Sequence, residues 1–424
     1  MKIAFYLPNA GISDVDCRDL THGNPGVGGT EYIIQATAYY LGRLKADDVE
    51  IVVGCQSDRL VNKEIPTIIV ASLTELVEKA QADYVVFKHS DEWYREARRA
   101  VEGTKTRLLP WTHCFVSRRG LTTLANDDRV ARIICVGEEQ LNMYRDHRAF
   151  LKSVYVYNGM PTAYLRSLTA ALPPLTDRPK GVTYIGNIVD YKGFHLLAEA
   201  WPEVLRRHPD AHLHVIGSGK LYDRTARIGK YGIAEESYEQ LFMPHLTDSE
   251  GRILPSVTFH GVMGEEKNDV LRESRVGVPN PSGVSETFCI TALEMQAMGC
   301  VVTTIAYGGF LDTVYPRTGL LYKDPKQLAD CICRQLEATD NDLEGFYRFM
   351  EQQFAFEKIA NDWLALFRSL DKPCVPLLNP EKMSPLSRIK ERNRKIKAAL
   401  PFGYLLPTVE FYRSILRRMK ILKN

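Results

Sequence analysis

Residues 276–305 read VGVPNPSGVSETFCITALEMQAMGCVVTTI. The stretch opens with an apolar run, passes through the turn-forming tripeptide PSG, continues as a helical pattern from about Thr287 and ends in a second apolar run. A strand, a helix and another strand in succession are typical of a parallel sheet whose faces are covered by helices. This stretch therefore predicts an α/β fold.

The same alternation runs along most of the chain. Helical patterns at 30–44, 73–81 and 193–207 separate short apolar runs rich in β-branched and aromatic residues. The predicted strands are 2–7, 50–55, 67–71, 83–88, 106–111, 132–137 and 153–157 in the first half, then 181–186, 211–217, 256–261, 276–280 and 301–305. Residues 158–180 hold four prolines and no clear periodicity, so we place a hinge there between two Rossmann-like domains.

Composition bounds the protein class. The 424 residues are 45% hydrophobic, which is enough for the cores of two or three globular domains. The chain starts with a strand pattern, KIAFYLP, and no apolar run approaches about 18 residues, so we expect neither a targeting nor a membrane-spanning segment. The nine cysteines show no paired spacing, which favours a reducing cytoplasm and no structural zinc.

Charge is distributed unevenly. The formal net charge is +2, but residues 385–424 carry eleven Lys and Arg against two Glu, a charge of +9 that leaves −7 on the rest. A basic end on a mildly acidic body indicates a local anionic partner and argues against a nucleic-acid surface spread over the whole protein.

The glycine-rich segment GNPGVGGTEY occupies residues 23–32. Its glycines allow close backbone approach, Thr30 is a candidate N-cap, and a helix from Glu31 would direct its N–H groups and positive dipole end at the loop, which suits a phosphate. The segment fails as a dinucleotide fingerprint, because it lies far beyond its strand and lacks the third glycine. A purely structural tight turn remains the alternative.

Several polar residues follow predicted strands, at the edge where open α/β sheets bind ligands. Lys192 can place an ammonium on a phosphate, Asn187 can add an amide contact, and His113 can donate to a substrate oxygen. Glu286 and Glu294 lie eight residues apart, so a helix would turn both carboxylates toward one end of a pocket. The alternatives are a solvated loop lysine, a core histidine and two solvated surface acids.

Taken in order, these motifs carry a family resemblance. A GGTE loop, a strand-end histidine, NGM at 158–160, a YIG…KG loop, a VIGSG turn and SETFCITALEMQAMGC together resemble glycosyltransferase family 4. Its members are retaining nucleotide-sugar enzymes of GT-B fold, and the similarity is to the bacterial surface-polysaccharide and lipopolysaccharide type, over about residues 1–370. The domains implied are an N-terminal acceptor domain at 1–160, a donor domain at 161–355, a helix crossing back at 356–372 and a basic amphipathic tail at 373–424.

The resemblance also implies roles for individual residues. Glu294 would accept hydrogen bonds from the ribose hydroxyls, and Glu286 would orient the transferred sugar. Backbone N–H groups near Thr287 and Phe288 would receive the diphosphate together with Lys192. The other implied donor-binding residues are Gly28, Gly29, Asn187, Gly217, Gly219 and Val262, and His113 is implied to contact the sugar as a catalytic residue alongside Glu286 and Lys192.

One departure from the family pattern concerns the diphosphate. Many relatives carry Arg where Asn187 stands, so Lys192 is the one cation left in that motif. A D-x-D motif is not apparent, in keeping with metal-independent chemistry, and we expect no cofactor. Because both glutamates are assigned to donor contacts, the resemblance favours front-face transfer with the departing phosphate as base.

The expected function is transfer of a sugar from a nucleotide-diphosphate sugar to a hydroxyl of a glycan acceptor, lipid-linked, in cell-surface polysaccharide assembly. The alternatives are a GT-B nucleotide-sugar epimerase and a non-catalytic partner of a transferase. Residues 387–424 combine basic and interfacial aromatic residues, which suits an anionic membrane surface and places the protein on the inner face of the cytoplasmic membrane. Packing of this segment on the acidic body is the other interpretation.

Overall fold

The computed structural model describes residues 1–220, 227–375 and 383–418, and the chain packs as two compact units. Unit 1 comprises Met1–Gly11, Thr37–Asn158 and Ile359–Asn424, and unit 2 comprises Ile12–Ala36 and Gly159–Lys358. The last residues of the basic tail, 419–424, and the segment 376–382 lie outside the described residues.

Unit 1 is built on a seven-stranded parallel sheet of order β3-β2-β1-β4-β5-β6-β7. Its strands are β1 Lys2–Leu7, β2 Glu50–Cys55, β3 Thr67–Ile69, β4 Tyr84–Lys88, β5 Arg107–Thr112, β6 Ile133–Cys135 and β7 Ser153–Tyr155. The central strands are buried along nearly their whole length, as expected for a parallel sheet covered on both faces.

The helices of this unit begin at recognisable caps. They are α1 Gly29–Arg43, which starts in unit 2, α2 Leu73–Ala80, α3 Asp91–Ala100, α4 Arg118–Asn126 and α5 Glu138–Tyr144. The side chains of Ser72, Ser90 and Ser117 each accept a backbone N–H in the first turn of α2, α3 and α4, which satisfies one otherwise unpaired donor per helix.

Unit 2 holds a six-stranded parallel sheet of order β10-β9-β8-β11-β12-β13. Its strands are β8 Gly181–Ile185, β9 His212–Ile216, β10 Val257–Gly261, β11 Ser274–Gly277, β12 Val301–Ile305 and β13 Leu320–Tyr322. The strand order reverses direction between β8 and β11, and the loops at the carboxyl ends of those two strands diverge to leave a crevice.

The helices of unit 2 are α6 Thr162–Ser167, α7 Phe194–Arg207, α8 Glu236–Phe242, α9 Lys267–Glu273, α10 Ile290–Ala297, α11 Phe310–Thr313, α12 Leu328–Leu336, α13 Leu343–Phe354 and the start of α14 Phe356–Phe367. Apolar faces of α7 and α12 pack on the sheet around Trp201 and Ile332, both fully buried. The predicted α/β architecture of two Rossmann-like domains is therefore confirmed.

Boundaries differ in detail from the prediction. The predicted limits at residues 160 and 355 lie close to the observed ones at 158 and 358, and α14 passes into unit 1 at Ile359. Residues 12–36 pack with unit 2, although the sequence placed them in the first domain. Thr30 lies inside α1 and is not its N-cap, because the helix already begins at Gly29.

The C-terminal part of the chain packs on unit 1. Trp363 of α14 is fully buried there, and its ring lies 4.7 Å from that of Trp111 and 5.7 Å from that of Phe5. Two further helices follow, α15 Pro385–Ala399 and α16 Val409–Arg418. We call residues 383–418 the C-terminal extension.

Asp146 is the polar centre of the contact between the extension and unit 1. Its carboxylate accepts hydrogen bonds from Asn393 Nδ2 at 2.7 Å and from the backbone N–H of Val409 at 2.6 Å. These bonds connect the middle of α15 with the start of α16. Lys397, 1% exposed, donates to the Asp146 carbonyl oxygen at 2.7 Å. Both helices of the extension are therefore held by one buried residue.

Both carboxylates of the extension are turned inward. Glu391 pairs with Arg394 at 2.5 Å and with the buried Arg145 at 3.5 Å, and Glu410 pairs with Lys390 at 2.7 Å. Arg388, Arg392 and Lys395 are the exposed charged residues among those described in the extension, so the most exposed charges of its outer face are positive.

Large apolar side chains share that outer face. Those exposed are Ile389, Ile396, Leu400, Phe402, Leu405, Leu406, Phe411, Tyr412 and Ile415. Phe402 is 85% exposed and Leu405 is 80% exposed. A cluster of exposed apolar side chains of this kind is typical of an interaction surface. In the described parts of the chain we find no helix whose length and apolar character would let it cross a bilayer.

Replacing Asp146 with Ala is expected to loosen the extension. Each of the two part-buried donors left without its acceptor costs about 1–3 kcal/mol, so the free energy of unfolding should fall by about 2–6 kcal/mol, and trypsin should cleave within residues 383–418 earlier than in the wild type. Thermal unfolding and peptide mapping measure both effects. The control is Asp128→Ala, which removes an exposed carboxylate of the same unit; equal stability and cleavage in the two variants would contradict the role of Asp146.

Candidate functional site

The principal cavity of unit 2 encloses about 200 Å³ and lies at the carboxyl ends of its strands. Gly186–Lys192 follows β8, Gly217 follows β9, Asn280–Glu286 follows β11, and the first turn of α10 completes the wall. The cavity occupies the crevice between β8 and β11, the place where open parallel sheets bind ligands. We call it the unit 2 cavity.

Glu286 lies in the loop that joins β11 to α10 and is 7% exposed. Its Oε2 atom is 3.0 Å from Lys192 Nζ and accepts Asn280 Nδ2 at 2.9 Å. Asn280 and Ser285 both have positive φ, of 29° and 59°, which places two non-glycine residues of this loop in the left-handed region. Strain of this kind concentrates at functional sites, where the fold uses it to fix a side chain.

Glu294 comes from α10 and is 6% exposed. Its Oε1 atom is 3.0 Å from Nζ of Lys267, the first residue of α9. The same ammonium lies 3.4 Å from the Asn24 carbonyl oxygen, so it also contacts the glycine-rich segment. The unit 2 cavity therefore holds two buried carboxylates, each with its own lysine.

The structure brings the two glutamates together as predicted, but by a different route. The helix begins at Ile290, three residues later than the predicted Thr287, with Cys289 at the N-cap position. Glu286 therefore reaches the cavity through the strained loop and not through helical periodicity. Phe288 lines the cavity together with the segment from Cys289 to Thr291 at the start of α10, whereas the predicted Thr287 is not among the lining residues.

Lys192 is positioned by a tight packing of two loops. A short 3₁₀ turn, Asp190–Lys192, ends at Gly193 with φ of 69°, and a Cβ there would lie 2.7 Å from Ser282 N. Ser282 Oγ in turn donates to the Tyr191 carbonyl oxygen at 2.8 Å. Only glycine fits at position 193, so the loops after β8 and β11 are locked together beneath the Lys192–Glu286 pair.

Asn187 lines the cavity and is 2% exposed. Its Oδ1 atom has no hydrogen-bond partner among the residues that the structure describes. A buried amide oxygen without a partner costs free energy, and an incoming donor would satisfy it. Asn187 thus presents an unpaired acceptor to the cavity.

The predicted glycines divide into two groups. Gly217 lines the cavity with φ of 136°, and a Cβ there would meet the Gly186 carbonyl oxygen, so the backbone must be bare. Gly29 lines it as well. Gly28 and Gly219 instead make room for neighbours, since a Cβ on Gly28 would meet the Glu31 carboxylate and one on Gly219 would lie 2.8 Å from Ala234 Cα.

Val262 and Met263 form the far wall of the cavity, after β10. Val262 is 51% exposed, and the glycine-rich segment approaches it at Gly26, where a Cβ would lie 3.7 Å from both Val262 Cγ1 and the Met263 carbonyl oxygen. Asn24 shapes that segment by accepting the N–H groups of Gly26 and Val27 at 3.0 and 2.9 Å. This part of the cavity could contact a planar ligand group through the Val262 side chain and the backbone of Gly26 and Met263.

Two other side chains bear on the chemistry. Burial raises the pKa of the Cys289 thiol, which lines the cavity, to about 12, so it is protonated and not nucleophilic at neutral pH. His113 belongs to unit 1, where it follows β5 and its ring lies 4.5 Å from that of Trp111. Burial lowers the pKa of His113 to about 3, so its imidazole is neutral at physiological pH.

Sequence reasoning missed Lys267, Asn280 and Asn24. Lys267 stands in GEEKNDV, where flanking acids are typical of a solvated helix start, and only the fold shows that its side chain is buried. Asn280 precedes a Pro-Ser-Gly turn, which explains it without a ligand. The cavity therefore holds a second lysine, Lys267 of α9, beside the predicted Lys192.

Comparison with known proteins agrees with this geometry. Residues 179–338 match the family described as Glycosyl transferases group 1. A D-inositol 3-phosphate glycosyltransferase of Corynebacterium urealyticum is 27% identical over 212 residues, 49% of this chain and 46% of that protein. An uncharacterised glycosyltransferase of Methanocaldococcus jannaschii is 29% identical over 200 residues, 45% of each chain. The match thus spans about half the length of these curated relatives.

Solved structures extend the similarity over both units. Anabaena HepE in complex with UDP-glucose superposes with a TM-score of 0.62 at 15% identity, covering 87% of this chain and 100% of that one. AviGT4, a glycosyltransferase of avilamycin A biosynthesis, superposes with a TM-score of 0.57 at 13% identity, covering 87% and 98%. The chain therefore has the fold of these two glycosyltransferases, two parallel-sheet Rossmann-like domains of the GT-B type, and the residues that form the unit 2 cavity fall largely within the segment that matches Glycosyl transferases group 1.

Proposed function

We propose that the protein is a retaining glycosyltransferase that moves a sugar from a nucleotide-diphosphate sugar to a hydroxyl of a glycan acceptor. The observation that carries the proposal is the unit 2 cavity, in which two buried carboxylates are each paired with a lysine. The hydroxyls of a nucleotide sugar can donate to carboxylates, and its phosphates can accept from ammonium groups. Both the glutamates and the lysines of the cavity can therefore bind part of such a ligand. The family match over this segment and the UDP-glucose held by HepE support the same conclusion.

In this proposal the ribose hydroxyls donate to Glu294, and the hydroxyls of the transferred sugar lie against Glu286. The diphosphate takes Lys192 together with the N–H groups at the start of α10, and Lys267 supplies the second positive charge that position 187 lacks. The base lies along Gly217 and Val262. The bare backbone at Gly26 and Gly29 allows the glycine-rich segment to approach the phosphates.

The chemistry follows from what these groups stabilise. As the bond between the sugar and the diphosphate breaks, negative charge gathers on the phosphate oxygens, and fixed cations and N–H groups stabilise it without reorganising. The acceptor oxygen forms its bond on the face that the phosphate leaves, and its proton passes to the departing phosphate. Glu286 is held by Lys192 and Asn280, and Cys289 is protonated, so neither suits the role of covalent nucleophile.

The acceptor in this proposal is lipid-linked and the setting is cell-surface polysaccharide assembly on the inner face of the cytoplasmic membrane. The C-terminal extension supports it, because its outer face combines Arg388, Arg392 and Lys395 with exposed aromatic and aliphatic side chains. Near an anionic leaflet each basic residue contributes about 1 kcal/mol, and buried apolar side chains add to that. The buried lysines at 390 and 397 hold the extension to unit 1 and do not face lipid.

Replacing Glu294 with Gln should weaken donor binding by about tenfold to a hundredfold, because one charged hydrogen-bond acceptor contributes about 1.5–3 kcal/mol. Glu286→Gln should mainly lower kcat, since its contact strengthens as the sugar gains positive charge. Calorimetric titration with the nucleotide sugar and steady-state kinetics separate the two effects. The control is Glu273→Ala, which removes an exposed carboxylate at the end of α9. Unchanged donor affinity and unchanged rate in both Gln variants would contradict the roles proposed for Glu286 and Glu294.

We also propose that the reaction needs no metal ion. In the described parts of the chain no three His, Cys, Asp or Glu side chains converge in a metal-binding arrangement. In this proposal Lys192 and Lys267 supply the positive charge that a metal ion would otherwise bring to the diphosphate, so transfer should keep its full rate, within about twofold, after dialysis against EDTA. Loss of activity in EDTA that Mg²⁺ or Mn²⁺ restores would count directly against this mechanism.

The membrane surface is tested by Phe402→Ser combined with Leu405→Ser. Removing two exposed apolar side chains should lower co-sedimentation with phosphatidylglycerol vesicles by about tenfold or more, while donor affinity stays at the wild-type value. Leu241→Ser combined with Leu311→Ser removes comparable exposed side chains from unit 2 and should have no effect. Wild-type sedimentation of the Phe402/Leu405 variant, in low and in physiological salt, would rule out this surface as the lipid contact.

A further inference from the structure

A second cavity lies in unit 1, at the carboxyl ends of β4 and β5. This open cavity has a volume of about 320 Å³, and all of its lining residues except Gly120 have polar or charged side chains. None of the residues named for the unit 2 cavity takes part, so this unit 1 cavity is a separate site.

Two arginines of the unit 1 cavity are not engaged by carboxylates. Arg95 Nε donates to the Asp91 carbonyl oxygen at 3.0 Å, and its terminal nitrogens have no partner among the described residues. Among the described residues, the Arg119 guanidinium likewise has neither a hydrogen bond nor an ion pair. By contrast, Arg98, which lies on α3 with Arg95, is 3.3 Å from the Asp127 carboxylate. This neighbouring acid is therefore paired outside the cavity.

The cavity carries net positive charge. Arg95 and Arg119 contribute two charges, and the Asp91 carboxylate is the one acid in the lining. Burial lowers the pKa of His89 below its ordinary value, so its imidazole is neutral at physiological pH and serves as a hydrogen-bonding group. The nine-residue α4 and the ten-residue α3 both begin at this cavity, which adds the positive ends of two helix dipoles.

We propose that the unit 1 cavity binds a phosphate group of the acceptor, with Arg95 and Arg119 as its ligands. The inference rests on the proposed transferase function and adds to it the chemical class of the acceptor. Guanidinium groups match the oxygens of a phosphate in pairs, and the hydroxyls of Ser117, Thr123 and Tyr94 suit the polar group attached to it. Arg95 and Arg119 are both exposed to solvent, and a phosphate would replace their water with charge-assisted hydrogen bonds that a neutral glycan does not offer.

A binding experiment tests the cavity without knowledge of the acceptor. Inorganic pyrophosphate is titrated calorimetrically into the full chain saturated with UDP, which occupies the unit 2 cavity under the proposed function. Wild-type protein and the control Arg99→Ala, exposed on α3 but outside the lining, should bind pyrophosphate equally. Arg95→Ala combined with Arg119→Ala should weaken binding by about tenfold or more, and Lys at both positions should restore part of it.

A kinetic experiment then separates the two sources of the phosphate. Soluble sugar phosphates form one arm and lipid-linked diphosphate sugars in vesicles form the other, and the double Ala variant should raise KM for the arm that is used by about tenfold while donor hydrolysis stays unchanged. Pyrophosphate binding by the double variant at wild-type strength, or an equal loss in Arg99→Ala, would overturn the inference. If the wild-type protein neither hydrolyses nor transfers the sugar of any donor, the proposed function is contradicted. The pyrophosphate titration would then still show whether the unit 1 cavity binds phosphate.

Discussion

The pairing of two buried carboxylates with two lysines is the constraint on which the functional part of this structure depends. Glu286 and Glu294 are both under a tenth exposed, and a carboxylate so far out of water is expensive unless a cation meets it. Lys192 and Lys267 meet them at 3.0 Å each. Four elements must therefore be held in register: the loop after β8, the loop after β11, and the first turns of α9 and α10.

A site balanced in this way suits a ligand that carries both kinds of partner. Under the proposed function, the two lysines turn toward the diphosphate while ribose and sugar hydroxyls donate to the two carboxylates, so that each charged group keeps a hydrogen-bond partner. Under the same proposal, Lys267 on α9 supplies a second positive charge beside Lys192, and Asn187 contributes an amide at the cavity wall.

Much of the fold could be predicted from the sequence, because a strand that is buried on both faces appears as a run of apolar residues. Such a run can be recognised without knowing which strands lie beside it. The two glutamates could be named from the local sequence motif, although Glu286 reaches the cavity through the loop after β11 and not through the predicted helical spacing. Lys267 was not, because its burial depends on α9 lying against the glycine-rich segment, a contact between residues far apart in sequence. The same limit applies to the C-terminal extension: its charge is visible in sequence, whereas the inward turn of Glu391 and Glu410 depends on Arg145 and on the buried lysines of α15.

The proposed function places a nucleotide-diphosphate sugar in the unit 2 cavity between these two ion pairs. A crystal structure of the full chain, with whichever of the UDP-, GDP- and dTDP-sugars raises Tm most, tests this placement. We expect ribose hydroxyls within hydrogen-bond distance of Glu294 and a diphosphate against Lys192 and the start of α10. A nucleotide sugar bound elsewhere, with both Lys–Glu pairs undisturbed at saturating ligand, would contradict it.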